Sequence, residues 1–441
     1  MNNSDVAGRA SAVDPREARI VVVGASHAAV ALADRLRAGG HRGTLTLIGS
    51  ERHLPYQRPP LSKAFLKGDA DVHALALRDI EFFRSHGIAL QTGERVVDVR
   101  RGKDGSGVLH TLRRHGSADE MSSDSYAFDR LVLATGARPR RLLIPGAGHR
   151  NVLALRDLDD AARLRDRIHR GPVVVIGGGF IGLEAAATIK ALGGEAVVVE
   201  AGPQLMGRAV GADTAAWCAA AHRAMGIGIE LLSRPEAIVT DGDQIIGVRL
   251  DDGRRIAAAT VLIGIGVLPR DELARALGLE CADAGGVVVD EHCLASDGVT
   301  VAIGDCTIQP RPGVGDGSLI RLESVDNSDE QAARATCTLL GTEPTARSVP
   351  WFWSDQGTYK LQMAGLVGDH DDVVLRTDPI RPDRRVFIYL RAGTMTAVEC
   401  VNSPADFLVL RKALSRQAAI PREVLEDNSS PLKKLLATAQ V

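Results

Sequence analysis

The spacing most suited to chemistry is Gly177-Gly178-Gly179-Phe180-Ile181-Gly182, set between an apolar run, Val173 to Ile176, and an Ala-rich stretch of helical period. Missing side chains let a backbone approach a pyrophosphate, and the start of the following helix offers oriented N–H groups and positive potential. Glu200 closes the next apolar run about twenty residues on, where a carboxylate accepts both hydroxyls of an adenosine ribose and repels a 2′-phosphate. The set points to a dinucleotide site that favours NADH over NADPH. A glycine-rich packing turn is the other reading.

A less regular copy follows Ile20 to Val23, at Gly24-Ala25-Ser26-His27-Ala28-Ala29. Only the first glycine is kept; Ser26 and Ala29 stand where the others would, both small enough for close approach. Read alone, it is either a nucleotide site or a small-residue turn. Ser50 and Glu51 end its second strand, and Glu51 is a candidate for the ribose role. His27 reads either as a polar residue opening a helix or as a phosphate neighbour. Next comes Leu54-Pro55-Tyr56-Gln57-Arg58-Pro59-Pro60-Leu61-Ser62-Lys63, whose prolines fix φ and remove donors. It is expected to be a rigid extended loop presenting Arg58 and Lys63, with Ser62 as N-cap of a helix beginning at Lys63. A surface linker or SH3 ligand is the alternative. Its place directly after a nucleotide-fold strand favours a wall over a cofactor. A carboxylate after glycine, as in Gly304-Asp305, suits a polyol hydroxyl or caps a helix.

To position these residues the chain needs two βαβ starts, each passing from a continuous apolar strand to a helical period. Other strand-like runs end in glycine: Leu131 to Gly136, Val261 to Gly266, and Val301 to Gly304. Alternating segments from Val96 to Leu112, broken at Lys103 to Gly107, predict an inserted hairpin. Past about Gly341 come all three tryptophans, a meander including Arg385 to Leu390 and Met395 to Val401, and a helix from Ala405 to Leu414. The expected fold class is α/β: two Rossmann-like dinucleotide-binding domains, as in glutathione reductase, plus a C-terminal antiparallel α+β domain. The expected first domain is discontinuous, 18–142 with 269–342. The second is 143–268 and the third 343–427, with 1–17 and 428–441 as flexible tails.

At 441 residues the chain exceeds what one core usually supports. A net charge of -2 argues against a nucleic-acid binder. No apolar run is long enough to span a bilayer, and Met1 to Glu17 lacks the apolar centre of a secretion signal, so a cytoplasmic protein is expected. The cysteines, Cys218, Cys281, Cys293, Cys306, Cys337 and Cys400, include no close pair, so neither a disulfide framework nor a metal site is expected.

Taken together, the motifs resemble the NADH-dependent ferredoxin reductases of oxygenase systems, the putidaredoxin- and rubredoxin-reductase type, related to apoptosis-inducing factor. The resemblance runs from Ile20 to Gly365. It is carried by P-Y-x-R-P-P-L-S-K, Ala134-Thr135-Gly136, G-G-G-F-I-G-L-E, Ala302-Ile303-Gly304-Asp305, Arg321-Leu322-Glu323-Ser324 and Pro350-Trp351-Phe352-Trp353-Ser354-Asp355-Gln356. It implies that FAD lies on the first unit and NADH on the second. It also implies that Lys63 approaches the flavin near N5 and pairs with Glu184 in a catalytic cleft. Arg58 and Arg140 then contact the FAD phosphates or ribityl region, Val96 lies beside the adenine, and Asp305 holds a ribityl hydroxyl. Ser324 and Val325 border the isoalloxazine, and Trp353 lies near its edge; Val325 departs from the tryptophan of many relatives. Gly24, Ser26, His27, Ala28, Ser50, Glu51 and Ala134 to Gly136 complete the expected FAD set. Gly177, Gly179, Phe180, Ile181, Gly182, Glu184, Glu200, Arg208, Gly264, Ile265 and Gly266 form the NAD set.

The implied activity is hydride transfer from NADH to FAD, then single electrons to a small acidic iron–sulfur ferredoxin or rubredoxin serving a cytochrome P450 or Rieske oxygenase. The expected protein is a monomer or weak homodimer with no nucleic-acid or membrane partner. A basic face of Arg138, Arg140, Arg141, Arg311 and Arg321 is a candidate docking surface, ordinary solvated arginines being the other reading. A disulfide or peroxide reductase needs a redox cysteine after the first βαβ, and Gly49 to Ala70 contains none. A redox-sensing flavoprotein of the apoptosis-inducing-factor type is the alternative from a different class.

Overall fold

The computed structural model describes residues 13–115, 120–207, 209–312, 316–344, 346–368 and 371–434. The chain divides into two compact units. One comprises Met1–Tyr56, Leu77–Gly136 and Pro269–Ala346; the other comprises Gln57–Ala76, Ala137–Leu268 and Arg347–Val441.

In the first unit Ile20–Val23 is the middle of a five-stranded parallel sheet, in the order Val301–Ala302, Arg130–Leu133, Ile20–Val23, Leu45–Gly49, Ile88–Thr92. A parallel sheet covered on both faces demands continuous apolar strands rather than alternation. Helices His27–Ala38 and Val325–Leu340 supply Leu32, Leu36, Ala332 and Ala335 to the core on one side. On the other side Val21, Val23, Leu131 and Leu133 meet Val96, Leu109 and Phe128 of an antiparallel sheet. That sheet contains the expected hairpin, Glu94–Arg101 with Gly107–His115, closed by the Gly102 N–H to the Ser106 carbonyl at 2.8 Å. A third strand, Glu120–Phe128, pairs along the second. Its serine-rich outward residues carry no apolar alternation, so it was invisible in the sequence.

The second unit repeats the parallel plan in the order Gly228–Glu230, Ala196–Val199, Val173–Ile176, Thr260–Ile263, Val152–Ala154. It also holds a five-stranded antiparallel sheet ordered Trp351–Gln356, Tyr359–Gly365, Thr394–Val401, Arg385–Arg391, Asp372–Thr377, with helix Pro404–Ser415 packed on it. The two sheets are not separately cored: Val173, Val198 and Leu183 share one apolar cluster with Leu361, Phe387 and Tyr389. Between them runs the helix Phe180–Ala191, whose alanines and glycine permit approach from both sides and leave Gly182 through Ile189 buried.

Three expectations change. Gln57–Ala76, assigned above to the first nucleotide domain, belongs to the second unit, because Leu66 enters its core and the Thr188 hydroxyl donates to the Ser62 carbonyl at 2.8 Å. The proline loop is not extended throughout: Pro59–Ser62 forms one 3-10 turn, for which proline φ is suited. The ends are held further out than the tails allowed. Arg42 donates to Glu17 at 2.7 Å, Leu432 is buried, and Arg376 donates to the carbonyls of Leu425 and Ser430 at 2.8 and 2.9 Å. Residues 1–12 and 435–441 lie outside the described residues.

Candidate functional site

Each parallel sheet places its glycine turn at the carboxyl ends of its strands. In the first unit Gly24 has φ +122°, and a Cβ there would sit 2.0 Å from the Ala134 carbonyl oxygen. The turn after Ile20–Val23 therefore abuts Ala134-Thr135-Gly136, whose Thr135 hydroxyl donates to the Arg270 carbonyl at 2.6 Å. Ser26 occupies the N-cap position with extended backbone, and His27 and Ala28 open the helix. A Cβ on Gly304 would lie 3.2 Å from that of Ala28, so the turn Gly304–Cys306 carrying Asp305 stands against this first helical turn. The Gly304 N–H is fixed by Gln331 Oε1 at 2.6 Å. Behind it lies a buried polar network: Gln331 Nε2 donates to Thr307 Oγ1 at 2.9 Å, Gln309 Nε2 to Asn327 Oδ1 at 2.6 Å, and Arg334 to Gln309 Oε1 at 2.8 Å.

Past Leu45–Gly49, Ser50 is exposed and Glu51 half-buried, and the buried Tyr56 hydroxyl donates to Glu51. Val96 is buried at the start of the antiparallel sheet. Ser324 caps Val325–Leu340, its hydroxyl accepting the Asn327 N–H at 2.9 Å, which leaves Val325 in the first turn. The first unit thus gathers Gly24, Ser26, His27, Ala28, Ser50, Glu51, Val96, Ala134 to Gly136, Asp305, Ser324 and Val325 on one fold. Arg58, Lys63, Arg140 and Trp353 belong to the second unit.

There the three glycines divide their labour. Gly177 has φ +109° and no room for a Cβ, which would fall 2.4 Å from the Gly264 carbonyl oxygen. Gly182 must be glycine because its Cβ would fall 2.4 Å from the Gly177 carbonyl oxygen. Gly179 is half-buried at the N-cap of Phe180–Ala191, with a Cβ position in ordinary contact, 3.8 Å, with the Gly264 carbonyl oxygen. These are the tight turn, the close helix packing and the side-chain-free approach that a pyrophosphate cradle requires. Glu200 Oε2 accepts the Gly178 N–H and Oε1 the Gly202 N–H, both at 2.7 Å. The Arg140 N–H donates to the Gly266 carbonyl at 3.0 Å, bringing one expected FAD residue beside the NAD run Gly264-Ile265-Gly266. Ile181 is 45% exposed at the helix start, while Phe180 packs on Phe352 with ring centroids 4.7 Å apart. Arg208 lies outside the described residues.

Lys63 and Glu184 meet as the resemblance implies, Nζ to Oε1 at 2.8 Å. Their surroundings add two serines. Ser62 does not cap a helix; Lys63 holds the N-cap position of Ala64–Lys67, and the Ser62 hydroxyl donates to Glu184 Oε2 at 2.5 Å. From the antiparallel sheet Ser354 Oγ donates to Glu184 Oε1 at 2.6 Å. Both serines lie within motifs quoted above, but contacts across 122 and 170 residues carry no local signal. Trp353 stacks on Trp351 at 5.3 Å, and the Arg411 guanidinium lies over the Trp351 ring at 4.8 Å. Of the candidate docking arginines, Arg321 is paired with Glu323 at 2.7 Å. All six cysteines are free thiols. Among the described residues no group of His, Cys, Asp and Glu could hold a metal, and no helix is long and apolar enough to cross a membrane.

Comparison with known proteins decides the family: residues 18–332 match the one described as pyridine nucleotide-disulphide oxidoreductase, and 351–436 the one described as reductase C-terminal. The chain belongs to the pyridine nucleotide-disulphide oxidoreductase family. It is 39% identical over 420 residues to rhodocoxin reductase of Rhodococcus erythropolis, covering 95% of this chain and 94% of the relative. The solved covalent putidaredoxin reductase–putidaredoxin complex matches with a TM-score of 0.87 at 33% identity, over 96% of this chain and 99% of that one. A ferredoxin reductase for the CYP199A2 system of Rhodopseudomonas palustris matches at 0.85 and 39% identity, over 94% of this chain and 99% of that one. As a member of this family the chain is an oxidoreductase whose cofactors are FAD and NADH. The turns fit them: at Gly24 and Gly177 no side chain has room, and at Gly179 no atom lies closer than 3.8 Å to a Cβ position.

Proposed function

We propose that this chain is an NADH-dependent FAD reductase that delivers single electrons to an iron–sulfur ferredoxin or rubredoxin serving a cytochrome P450 or Rieske oxygenase. The observation that carries the reading is a full pyridine nucleotide cradle and a Lys63–Glu184 pair in a chain with no cysteine from Gly49 to Ala70. That stretch offers no thiol exit for the electrons, and the reading passes them to an external carrier. FAD supplies a two-electron acceptor that can release electrons one at a time; NADH supplies the hydride.

The protein's share is geometry and electrostatics. Gly177, Gly179 and the N–H groups opening Phe180–Ala191 hold the NADH pyrophosphate, and Glu200 takes the adenosine ribose hydroxyls. Phe180, Ile181, Gly182 and Gly264 to Gly266 line that cofactor. In the first unit Gly24, Ser26, His27, Ala28 and Ala134 to Gly136 receive the FAD pyrophosphate; Arg58 and Arg140, which the resemblance assigns to FAD, are carried by the second unit. Ser50 and Glu51 take the ribose, Val96 the adenine, and Asp305 a ribityl hydroxyl. Ser324 and Val325 border the ring. Lys63, steadied by Glu184, offsets the negative charge that reduction brings.

The acceptor is proposed to be small and acidic, met by arginines such as Arg138 and Arg141, with the reductase acting in the cytoplasm as a monomer or weak homodimer. A redox-sensing role is not favoured, since the relatives are reductases of oxygenase systems. The test is NADH-driven cytochrome c reduction against a panel of ferredoxins and rubredoxins. Rates that rise steeply with one added carrier are expected. No dependence on any carrier in the panel would overturn the reading.

A further inference from the structure

Glu184 is buried to 2% exposure and surrounded by donors: Lys63 and Ser354 at Oε1, Ser62 at Oε2. Gln356 Nε2 donates to Ser354 Oγ at 3.1 Å. With its oxygen accepting, the single hydroxyl hydrogen of Ser354 is left for Glu184. The Gln356 amide also reaches the Met206 sulfur at 3.7 Å, and the Met206 N–H is bonded to the Gly178 carbonyl at 2.9 Å. Ser354 and Gln356 are 0% and 2% exposed, on the strand Trp351–Gln356. The inward positions of the neighbouring strand, Leu361 and Met363, are apolar, so packing alone does not call for a serine and a glutamine here. Burying such a chain is worthwhile only when every member is satisfied, and it then fixes one arrangement.

We propose that Ser354 and Gln356 are positioning residues for hydride transfer. Ser354 holds the Glu184 carboxylate, and through it the Lys63 ammonium, while Gln356 orients the Ser354 hydroxyl and ties the same strand to the Gly178 turn. One β-strand of the C-terminal sheet thereby sets both the dinucleotide turn and the lysine. The inference rests on the reading that Lys63 serves the flavin.

The experiment compares FAD-loaded wild type with Lys63→Ala, Ser354→Ala, Ser354→Thr, Gln356→Met, Glu184→Gln and the double variant Glu184→Gln with Ser354→Ala. It measures single-turnover flavin reduction by NADH, the flavin midpoint potential and Tm. Ser354→Ala is expected to slow reduction by on the order of tenfold, the loss of one hydrogen bond to a charged group, with NADH affinity changed by less than about twofold. Its midpoint potential should move to more negative values, in the direction of Lys63→Ala. Gln356→Met should show a smaller shift of the same sign, and Ser354→Thr should restore the rate. In the Glu184→Gln background the Ser354→Ala effect should vanish, which a purely structural loss would not do. If Lys63→Ala slows reduction while Ser354→Ala moves neither rate nor potential, the positioning role is overturned and the lysine role stands. An undiminished Ser354→Ala effect in the Glu184→Gln background overturns it too. If Lys63→Ala is without effect, both fall.

Discussion

Replacing Glu200 by alanine tests what selects the nicotinamide dinucleotide. The half-buried carboxylate accepts backbone N–H groups from Gly178 and Gly202, each at 2.7 Å. Each oxygen can accept a further bond, so a ribose placed here would find its acceptor already held. A hydrogen bond to a charged group contributes about 1.5–3 kcal/mol. Losing the ribose contact should therefore raise the Kd for NADH roughly 10- to 150-fold. NADPH should lose much less, because the charge that repels its 2′-phosphate leaves with the same side chain. The backbone bonds add a separate effect, a lower Tm, as the Gly178 turn loses its staple. Glu200→Gln separates the two: it keeps one carbonyl oxygen for the turn but not the negative charge, so it should retain most of the Tm while narrowing the NADH/NADPH preference. Titration of both nucleotides into the flavoprotein, with kcat/KM for each, makes the measurement. An alanine variant with unchanged selectivity would refute the ribose role and leave Glu200 as a loop staple alone.

Gly24→Ala forces a Cβ to 2.0 Å from the Ala134 oxygen at a φ of +122°, and should cost about 3 kcal/mol or more and reduce bound flavin; a fully flavinated variant with wild-type Tm would count against the assignment. Glu399, 1% exposed, is pushed up to about 7 by burial, from 4.5 for an ordinary carboxyl. The folded state therefore binds this proton more tightly than the unfolded state. Its stabilising contribution, about 3 kcal/mol at most, is present at low pH and lost as pH rises from about 4.5 through 7. Glu399→Gln should flatten the decline in Tm across that window, and an unaltered slope would refute the cause. Truncation after Asp427 should lower the urea midpoint by the equivalent of about 2–3 kcal/mol, since Leu432 is 1% exposed and Arg376 donates to the Ser430 carbonyl; an unchanged midpoint would restore the tail reading.

Much of this was legible because backbone constraint writes itself locally. Gly182 is a glycine for a steric reason that acts within a short stretch of chain, Gly24 and Gly177 sit at strand-end turns with positive φ, and the strands Ile20–Val23 and Val173–Ile176 are continuous apolar runs because both faces are covered. What escaped depends on side chains meeting across the sequence. Ser62 was read by its neighbours as a cap, whereas its hydroxyl is taken by Glu184. The network of Gln331, Gln309, Asn327 and Arg334 behind Asp305 is polar and buried, so its residues read individually as surface. Gln57–Ala76 follows the first nucleotide fold in the chain, but Leu66 and Ser62 pack in the second unit.

The seat of Glu399 has a consequence for recombination. Its carboxylate, carried by the antiparallel sheet, accepts the Gly211 N–H at 3.1 Å at the start of helix Ala212–Ala224, and the Tyr389 hydroxyl at 3.0 Å. A Cβ on Gly211 would meet that hydroxyl at 2.2 Å. Although the last ninety or so residues match a family description of their own, they are not a cassette. A chimera that exchanges them between relatives must also carry a matching residue 211, or the helix of the nucleotide fold begins against a partner shaped for another sequence.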